Sequence, residues 1–271
     1  MKIYCINLKR SQRRRQLMER QFERLKMTVE FITAMDAREI SAEEMLQMID
    51  LDSVTSAPHW LSPGVIACAL SHRLCYKKMM ESQQPQALIL EDDVILSPGI
   101  SELLENMAAQ IKLNEVIMLY FQSSKTIRVS ESGIFPLTAQ HRLMYPVNFE
   151  NLGSSGAYMI SLPAAAQLYD HEFPVKSSAD SWGHFIQRGR IKSLRTVMPF
   201  AAHSTLEESS VDYVDPKKPA GKIKNLISEL RLFPFYQLLR LKRKRNWDNT
   251  TRHIFTMEAS PLHEIAEKPA I

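Results

Sequence analysis

This sequence predicts an α/β fold in which a mostly parallel sheet is flanked by helices. Two observations carry the prediction. Short apolar runs typical of buried strands alternate with segments of helical periodicity, and Ser or Pro stands at several helix starts. The 271 residues, 45% of them hydrophobic, are enough for one large domain with a sizeable core. Because ligands of such sheets bind beyond the carboxyl ends of the strands, polar residues at those ends are the first site candidates.

The predicted elements alternate along the chain. Residues 1–8 and 29–36 are predicted strands, and Ser11 is placed to cap the helix between them. A capping box at Ser41–Glu44 and the pair Ser62-Pro63 each predict the start of a further helix. The later predicted elements are a strand at 87–96, a helix at 100–113, strands at 116–121 and 157–162, and a helix from Pro163.

Charge divides the chain into a body, residues 1–215, and a basic C-terminal extension, residues 216–271, that follows a Pro- and Gly-containing stretch. Residues 217–245 hold ten Lys or Arg and one acid, although the whole chain has a net charge of only +4. Leu and Phe at helical spacing in this segment predict basic amphipathic helices that contact an anionic membrane surface. Nucleic acid is a less favoured partner, and packing of the apolar face onto the body is the remaining alternative.

Membrane-spanning and metal-type cysteine patterns are missing from the sequence. No run of about 18 uncharged apolar residues is present, and the N-terminal run Ile3–Leu8 is short and followed by basic residues, unlike an export signal. We therefore expect a cytoplasmic protein. Cys5, Cys68 and Cys75 have no CxxC spacing and are predicted to be reduced, buried side chains and not zinc ligands.

Three adjacent carboxylates, Glu91, Asp92 and Asp93, interrupt the apolar run at 87–96. Burying a charge costs several kcal/mol unless something compensates it. In an extended segment Glu91 and Asp93 point to the same side, which makes them the natural pair of ligands for Mg²⁺ or Mn²⁺, with Asp92 on the other side. Several classes of phosphate-handling enzyme have such a site. The alternative is that the three acids lie in water where the strand passes into a loop.

Five ordered segments make the sequence resemble glycosyltransferase family 25, which includes bacterial lipooligosaccharide galactosyltransferases and collagen galactosyltransferases. They are 6–8 with Arg10 and Arg14, 34–36, 64–72, 88–94 and 153–160, and residues 180–182 and 203–204 are similar to the family's later segments. The resemblance covers about residues 1–212. It implies a Rossmann-related fold of the GT-A type and a site for a UDP-sugar donor bound through Mn²⁺ or Mg²⁺.

The resemblance also implies roles for individual residues. Glu91 and Asp93 would hold the cation with His203 as third ligand, and Asp92 would contact ribose or metal-bound water. The predicted contacts to nucleotide, phosphate or sugar are Asn7, Arg10, Arg14, Asp36 and His72. Each has an ordinary structural alternative: a solvated arginine, a turn aspartate, or a buried histidine with a partner in the core.

An inverting transfer requires a general base for the acceptor hydroxyl. Asp180 is the predicted catalytic base, with Trp182 stacking on a sugar, and Glu207 and Glu208 are the reserve candidates. A capping role is the alternative for Asp180. The segment Gly153–Gly156 is predicted either to bring backbone amides close to a sugar or to form a simple turn.

The predicted function is therefore an inverting, metal-dependent transfer of a hexose, galactose from UDP-galactose, to the core saccharide of a lipooligosaccharide or lipopolysaccharide. The expected partners are the nucleotide sugar, a lipid-linked oligosaccharide acceptor and the membrane surface. The basic extension, together with the lipid-linked acceptor that the resemblance implies, predicts a peripheral position on the cytoplasmic face of the inner membrane. A non-catalytic saccharide- or membrane-binding adaptor and a nucleic-acid-binding protein acting through the basic extension remain alternatives. The sequence predicts no oligomeric state.

Overall fold

The computed structural model describes residues 1–50, 52, 61–123, 127–205 and 250–253. Its helices are α1 (Gln12–Arg24), α2 (Ala42–Met48), α3 (Pro63–Glu81), α4 (Ile100–Gln110), α5 (Leu162–His171) and α6 (Trp182–Gln187). Its strands are β1 (Lys2–Asn7), β2 (Glu30–Thr33), β3 (Gln86–Glu91), β4 (Val94–Leu96), β5 (Glu115–Met118), β6 (Ile127–Ser130), β7 (Phe135–Pro136), β8 (Arg142–Met144), β9 (Ala157–Ser161), β10 (Ser193–Met198), β11 (Ala202–Ser204) and β12 (Thr250–His253).

Eight strands form the central sheet in the order β2-β1-β3-β9-β5-β10-β8-β7. Strands β2, β1 and β3 are parallel, and β5 and β10 are parallel to each other. Strand β9 lies antiparallel between β3 and β5, and β8 is antiparallel to β10. The predicted α/β class with a mostly parallel sheet is confirmed, and two strands of the described sheet run against the others.

Helices cover both faces of this sheet because alternate strand residues point to opposite faces. On β1, Ile3 and Cys5 join the core beneath α1 and α4, whereas Tyr4 and Ile6 join the core beneath α3, α5 and α6. The central strands are apolar on both faces, which explains why their sequences are continuous hydrophobic runs instead of alternating ones.

Capping residues are found at the predicted starts of α2 and α3. Ser41 and Glu44 form the full capping box of α2, and Ser62 accepts a hydrogen bond from the Val65 amide at the start of α3. Ser11 is the residue before α1, yet its side chain makes no capping hydrogen bond.

The predicted single strand at 87–96 is wrong. Strand β3 ends at Glu91, Asp92 and Asp93 form a turn, and β4 begins at Val94 and pairs with β11 outside the main sheet. Because the turn breaks the strand alternation, the three carboxylates do not take the positions of neighbouring strand residues.

A buried ion pair joins the C-terminal end of α4 to β5 and β10. Arg195 Nη2 lies 2.7 Å from Glu115 Oε2, and the two side chains are 4% and 0% exposed. Arg195 also donates to the Gln110 carbonyl oxygen at 2.7 Å. These hydrogen bonds compensate two charges that would otherwise be costly to bury.

The predicted basic extension, residues 216–271, lies outside the described residues except for β12, which pairs antiparallel with β6. Glu207 and Glu208 also lie outside them. In the part of the chain that the structure describes, no helix combines the length and apolar character needed to cross a membrane.

Candidate active site

A cavity of about 340 Å³ lies at the edge of the sheet where the parallel strands β1, β2 and β3 end. Its walls come from the residues after these strands and from the first turns of α3. The chemistry-bearing lining residues are Arg10, Arg14, Asp36, Arg38, Cys68, Ser71, His72, Glu91, Asp92 and Asp93. The structure therefore brings together seven of the predicted site residues as lining, and Asn7 reaches the same place through Asp92.

Glu91 ends β3 and is held by two side chains. Ser155 Oγ donates to Glu91 Oε1 at 2.7 Å, and His72 Nε2 lies 3.3 Å from the same oxygen. Burial alone would raise the pKa of Glu91, but the hydrogen bond and charge interaction with His72 lower it below its ordinary value. Glu91 is therefore an oriented carboxylate.

Asp92 faces Asn7 and Arg14. Asn7 Nδ2 donates to Asp92 Oδ2 at 2.6 Å, and Arg14 Nη1 donates to Asp92 Oδ1 at 3.0 Å. Burial raises the pKa of Asp92 even though both contacts oppose the rise. Asp92 therefore ties α1 to the end of β3, and its ion pair with Arg14 reduces its need for a bound cation.

Asp93 is the least compensated of the three acids. Ser204 Oγ donates to Asp93 Oδ2 at 3.4 Å, and the Asp93 carbonyl oxygen accepts from the Thr205 amide at 2.6 Å. Burial first, and the charge of Glu91 second, raise the pKa of Asp93 to about 7. Two acidic side chains with this mutual repulsion form a place where a cation would be favourable.

His72 is buried, and both ring nitrogens have partners. Nδ1 lies 2.8 Å from the Tyr158 hydroxyl, which lies 2.8 Å from the Tyr76 hydroxyl. Because an ionised Glu91 can only accept, the proton on the Glu91 side belongs to His72 Nε2, and in the neutral ring Nδ1 accepts from Tyr158. His72 thus positions Glu91, and its predicted contact with donor phosphate or sugar stays a prediction.

Asp36 and Arg10 form an ion pair on the rim of the cavity. Arg10 Nε donates to Asp36 Oδ2 at 2.5 Å, and the Arg38 amide donates to Oδ1 at 3.1 Å. Burial would raise the pKa of Asp36, yet the bonds from Arg38 and Arg10 bring it below its ordinary value. The turn-forming alternative for Asp36 is therefore present in the structure, and nucleotide contact remains a prediction.

Asp180 precedes α6 and lies outside the cavity lining. Oδ2 accepts from the Ser154 amide at 3.0 Å and Oδ1 from Ser178 Oγ at 2.6 Å. These contacts hold the turn that carries Ser155, and Ser155 in turn holds Glu91. The observed contacts of Asp180 are structural, and its role as the base stays a prediction.

The sugar-stacking prediction for Trp182 is wrong. Its side chain is fully buried, Nε1 donates to the Ser154 carbonyl oxygen at 2.9 Å, and the ring packs edge-on against Tyr158. A ring that stacks on a sugar must be accessible, but here the large apolar ring completes the core under α6.

His203 lies on β11 and is not among the cavity-lining residues. Its ring packs edge-on against Phe200 at 6.2 Å, and burial lowers its pKa. The next residue, Ser204, is the one that reaches Asp93. Neighbouring strand residues point to opposite sides, so the structure does not bring His203 into the acidic cluster, and the metal-ligand role of His203 stays a prediction.

The segment before β9 is joined by backbone hydrogen bonds to Glu91 and Gln122. The Gly156 carbonyl oxygen accepts from the Glu91 amide at 2.8 Å. A Cβ atom at Gly156 would lie 2.0 Å from the Tyr120 hydroxyl, so glycine is required for close approach. The Gly153 amide bonds the Gln122 carbonyl oxygen, so the observed segment is a packed turn.

Sequence reasoning missed Ser155, Tyr158, Ser204 and Cys68. Polar residues inside or beside an apolar strand gave no pattern that named their partners, which lie far away in sequence. Cys68 and His72, four residues apart on one predicted helix, did offer a signal, because such residues share a helix face.

The three acids differ in how well they fit the implied cation. Glu91 and Asp93 supply hard oxygen ligands, and the pKa of Asp93 stays raised although the charge of Arg14 acts to lower it. Asp92 fits less well because its ion pair with Arg14 already supplies a counter-charge. Glu91 and Asp93 therefore fit Mn²⁺ or Mg²⁺ as protein ligands, with the remaining positions open to phosphate oxygens or water.

A family model and several curated proteins that are similar to this chain point to the same protein family. The family model described as "Glycosyltransferase family 25 (LPS biosynthesis protein)" matches residues 1–182. A "Glycosyltransferase 25 family member" of Drosophila melanogaster is 30% identical over 176 residues, which cover 62% of this chain and 27% of that protein. The "Lipooligosaccharide biosynthesis protein lic2B" of Haemophilus influenzae is 26% identical over 172 residues, covering 62% of each.

The human "Procollagen galactosyltransferase 2" is 31% identical over 98 residues, which cover 34% of this chain and 15% of that protein. The matched part of the chain thus spans about a quarter of the fly protein's length. The family model covers the whole cavity edge, from Asn7 through His72 to the acidic triplet, and reaches Trp182. The chain belongs to glycosyltransferase family 25.

Proposed function

We propose that this chain is an inverting, metal-dependent glycosyltransferase that moves galactose from UDP-galactose to a core saccharide of a lipooligosaccharide or lipopolysaccharide. The observation that carries the proposal is the pairing of Glu91 and Asp93 in a cavity that is also lined by three arginines. Carboxylates that can share a cation and guanidinium groups nearby suit a nucleoside diphosphate. Family membership supports the transfer of a sugar, and the names of the bacterial and human relatives support the acceptor and donor.

The chain's own residues would prepare the donor site. Ser155 and His72 fix the Glu91 carboxylate before any ligand arrives, and Asn7 with Arg14 fixes Asp92. Such preorganisation removes a reorganisation cost from the reaction. A cation held by Glu91 and Asp93 would neutralise charge on the departing diphosphate.

Asp180 is proposed as the base that takes the acceptor hydroxyl proton. Each of its oxygens accepts one hydrogen bond and keeps a further lone pair, so proton transfer does not require the Ser154 turn to open. An attack opposite the leaving group would invert the anomeric centre, and the donor's α linkage would become β.

The cellular setting is also proposed. Residues 217–245, with their excess of Lys and Arg, would hold the protein on the anionic cytoplasmic surface of the inner membrane, where a lipid-linked acceptor is exposed. This part of the proposal rests on sequence alone.

The deciding experiment measures UDP release and product formation from UDP-galactose, UDP-glucose and UDP-N-acetylglucosamine. Truncated core saccharides serve as acceptors, with Mn²⁺ or with excess chelator. We expect galactose transfer only with the cation and a β-linked product by NMR. Asp93→Asn should abolish transfer and weaken Mn²⁺-dependent UDP binding, whereas Asp170→Asn, a matched change on the exposed face of α5, should leave both unchanged.

Full activity of Asp93→Asn, or of the wild type in chelator, would refute the cation assignment. UDP-galactose binding without any UDP release would favour a saccharide-binding adaptor. For Asp180→Asn we expect retained UDP binding with transfer reduced by about 10²–10⁴-fold, the usual contribution of a general base. Near-normal turnover in that variant would place the base elsewhere.

A further inference from the structure

Cys68, His72 and Glu91, which all line the cavity, form a second cluster of ligand-type atoms. One atom from each, a thiol sulfur, an imidazole nitrogen and a carboxylate oxygen, lies within 4.8 Å of the other two. All three residues line the cavity, so the cluster is open to a ligand that enters it. The described residues contain no other group of three such atoms.

Helix geometry explains why two of the ligands meet. Cys68 and His72 are four residues apart on α3, so their side chains lie on one face of the helix. Glu91 is brought to this face by the end of β3, and His72 Nε2 is already 3.3 Å from Glu91 Oε1. In a tetrahedral zinc site, ligand atoms at about 2.0–2.3 Å from the ion are roughly 3.3–3.6 Å apart. The histidine and glutamate atoms have this spacing, and the sulfur needs to approach by about 1.5 Å at most.

The chemistry of this set differs from that of the Glu91 and Asp93 pair. Thiolate and imidazole are ligands of zinc and related thiophilic ions, whereas Mn²⁺ and Mg²⁺ prefer oxygen. Three protein ligands with a fourth position facing a cavity are typical of accessible zinc sites. We propose that Cys68, His72 and Glu91 bind a thiophilic divalent cation such as Zn²⁺ at a site that shares Glu91 with the proposed Mn²⁺ site and differs from it in the other ligands.

The surroundings already supply the supporting contacts of such a site. A metal-bound histidine usually donates its other ring N–H to an oxygen acceptor. Here Nδ1 of His72 lies 2.8 Å from the Tyr158 hydroxyl, and Tyr158 lies 2.8 Å from Tyr76. Either tyrosine hydroxyl can be the donor in that pair. When His72 Nε2 loses its proton to bind a metal, Nδ1 can therefore carry the proton and donate to Tyr158, and Tyr158 can donate to Tyr76. Ser155 orients the Glu91 carboxylate.

Both cation sites use Glu91, so they exclude each other or compete for its oxygens. The thiophilic site would remove Glu91 from the pair with Asp93. Occupation by Zn²⁺ should therefore inhibit any reaction that needs a hard cation at Glu91 and Asp93. This inhibition rests on the proposed function, whereas the binding of Zn²⁺ does not.

Cobalt binding to the tag-free, reduced full chain tests the site without any activity measurement. Co²⁺ titration should produce a thiolate-to-cobalt charge-transfer band at one equivalent, and Zn²⁺ should remove it stoichiometrically. Cys68→Ser should lose this band and bind Zn²⁺ about 100-fold more weakly or worse, since loss of an outer contact alone costs about 10–100-fold. Cys75→Ser is the matched control, because Cys75 is buried in the core on the same helix and should leave the band unchanged.

Thermal unfolding of each variant checks that it is folded. An unchanged band in Cys68→Ser, a band lost in Cys75→Ser, or no band in the wild type would each overturn the proposal. Zinc inhibition is then measured relative to each variant's own Mn²⁺-dependent rate. Strong inhibition of the wild type with weak inhibition of Cys68→Ser is expected. Absence of all transfer activity would refute the proposed function while leaving the cobalt result intact.

Discussion

At the scale of single residues, the three adjacent acids have three different environments. Glu91 is bonded by His72 and Ser155, and Asp92 is bonded by Asn7 and Arg14. The side chain of Asp93 accepts a longer hydrogen bond, from Ser204 at 3.4 Å. The differences arise because the chain turns at Asp92 and Asp93, so each carboxylate faces another wall of the cavity. Glu91, Asp92 and Asp93 are therefore expected to differ in their chemistry although they are adjacent in the sequence.

Asp93 should make stability depend on pH. Its pKa is raised from 3.8 to about 7 in the folded protein, chiefly by burial, so between these values the folded state binds more protons than the unfolded state. The free energy of unfolding contributed by this group therefore falls as pH rises from about 4 to 7. Asp93→Asn removes the effect. We expect the variant to gain more than about 1 kcal/mol relative to the wild type between these limits.

Urea denaturation in chelator, followed across this pH range, measures the difference. Adding Mn²⁺ at pH 8 should stabilise the wild type and leave Asp93→Asn nearly unchanged, because a ligand stabilises only a state that binds it. Parallel pH curves for the two proteins would show that Asp93 is ionised as readily in the folded state as in the unfolded chain.

At the scale of elements, the sequence revealed the strand and helix pattern and the edge at which the site lies. Apolar runs predicted β1, β3, β5 and β9, and cap signals predicted α2 and α3. The antiparallel insertion of β9 between β3 and β5 depends on pairing between distant segments, and no local signal encodes such pairing. The turn after Glu91 was not predicted, because the apolar residues on both sides of it favoured one continuous strand.

The absence of a local signal for pairing between distant segments also explains which site residues could be predicted. Asn7, Arg14, His72 and the acids follow from their positions beside strand ends and in the resembling segments. The partners that orient them, Tyr158 in β9 and Ser155 just before it, depend on the pairing of β9 with β3, which the sequence does not reveal. Trp182 was wrongly placed at the surface because burial depends on what packs over α6.

The Arg195 and Glu115 pair should be the element-level contact most sensitive to substitution. Arg195→Met leaves Glu115 buried without its cationic partner, although the hydrogen bonds from Ser193 Oγ and the Lys112 amide remain, so we expect a loss of about 3–5 kcal/mol in the free energy of unfolding. Lys77→Met, which removes the exposed pair with Glu81, is the control and should change stability by no more than about 0.5 kcal/mol. Equal losses in chemical denaturation would mean that the buried pair has no special role in joining α4, β5 and β10.

At the scale of the whole molecule, the proposed membrane contact can be separated from the cavity. The basic cluster Lys242–Arg245 should contribute about 1 kcal/mol per charge to binding an anionic bilayer. Replacing all four by serine should weaken co-sedimentation with phosphatidylglycerol vesicles by about 10²–10³-fold and leave the transfer to a soluble acceptor unchanged.

The matched control replaces four exposed basic residues of the body by serine, namely Arg20, Arg24, Lys26 and Lys77. This variant should keep most of its vesicle binding. Equal losses in the two variants would indicate a general charge effect, and salt-sensitive binding of the wild type to DNA with no vesicle binding would favour a nucleic-acid partner.

Strand β12 gives the membrane proposal a geometric consequence. Residues 250–253 pair with β6 of the body, and Ser204, which precedes the basic segment, contacts Asp93 in the cavity wall. The segment between them is therefore joined to the body at two points. At most about 18 Å of fully extended chain separates Arg245 from Thr250, the first residue of β12. A bilayer that binds Lys242–Arg245 would therefore lie close to the edge of the body formed by β12 and β6.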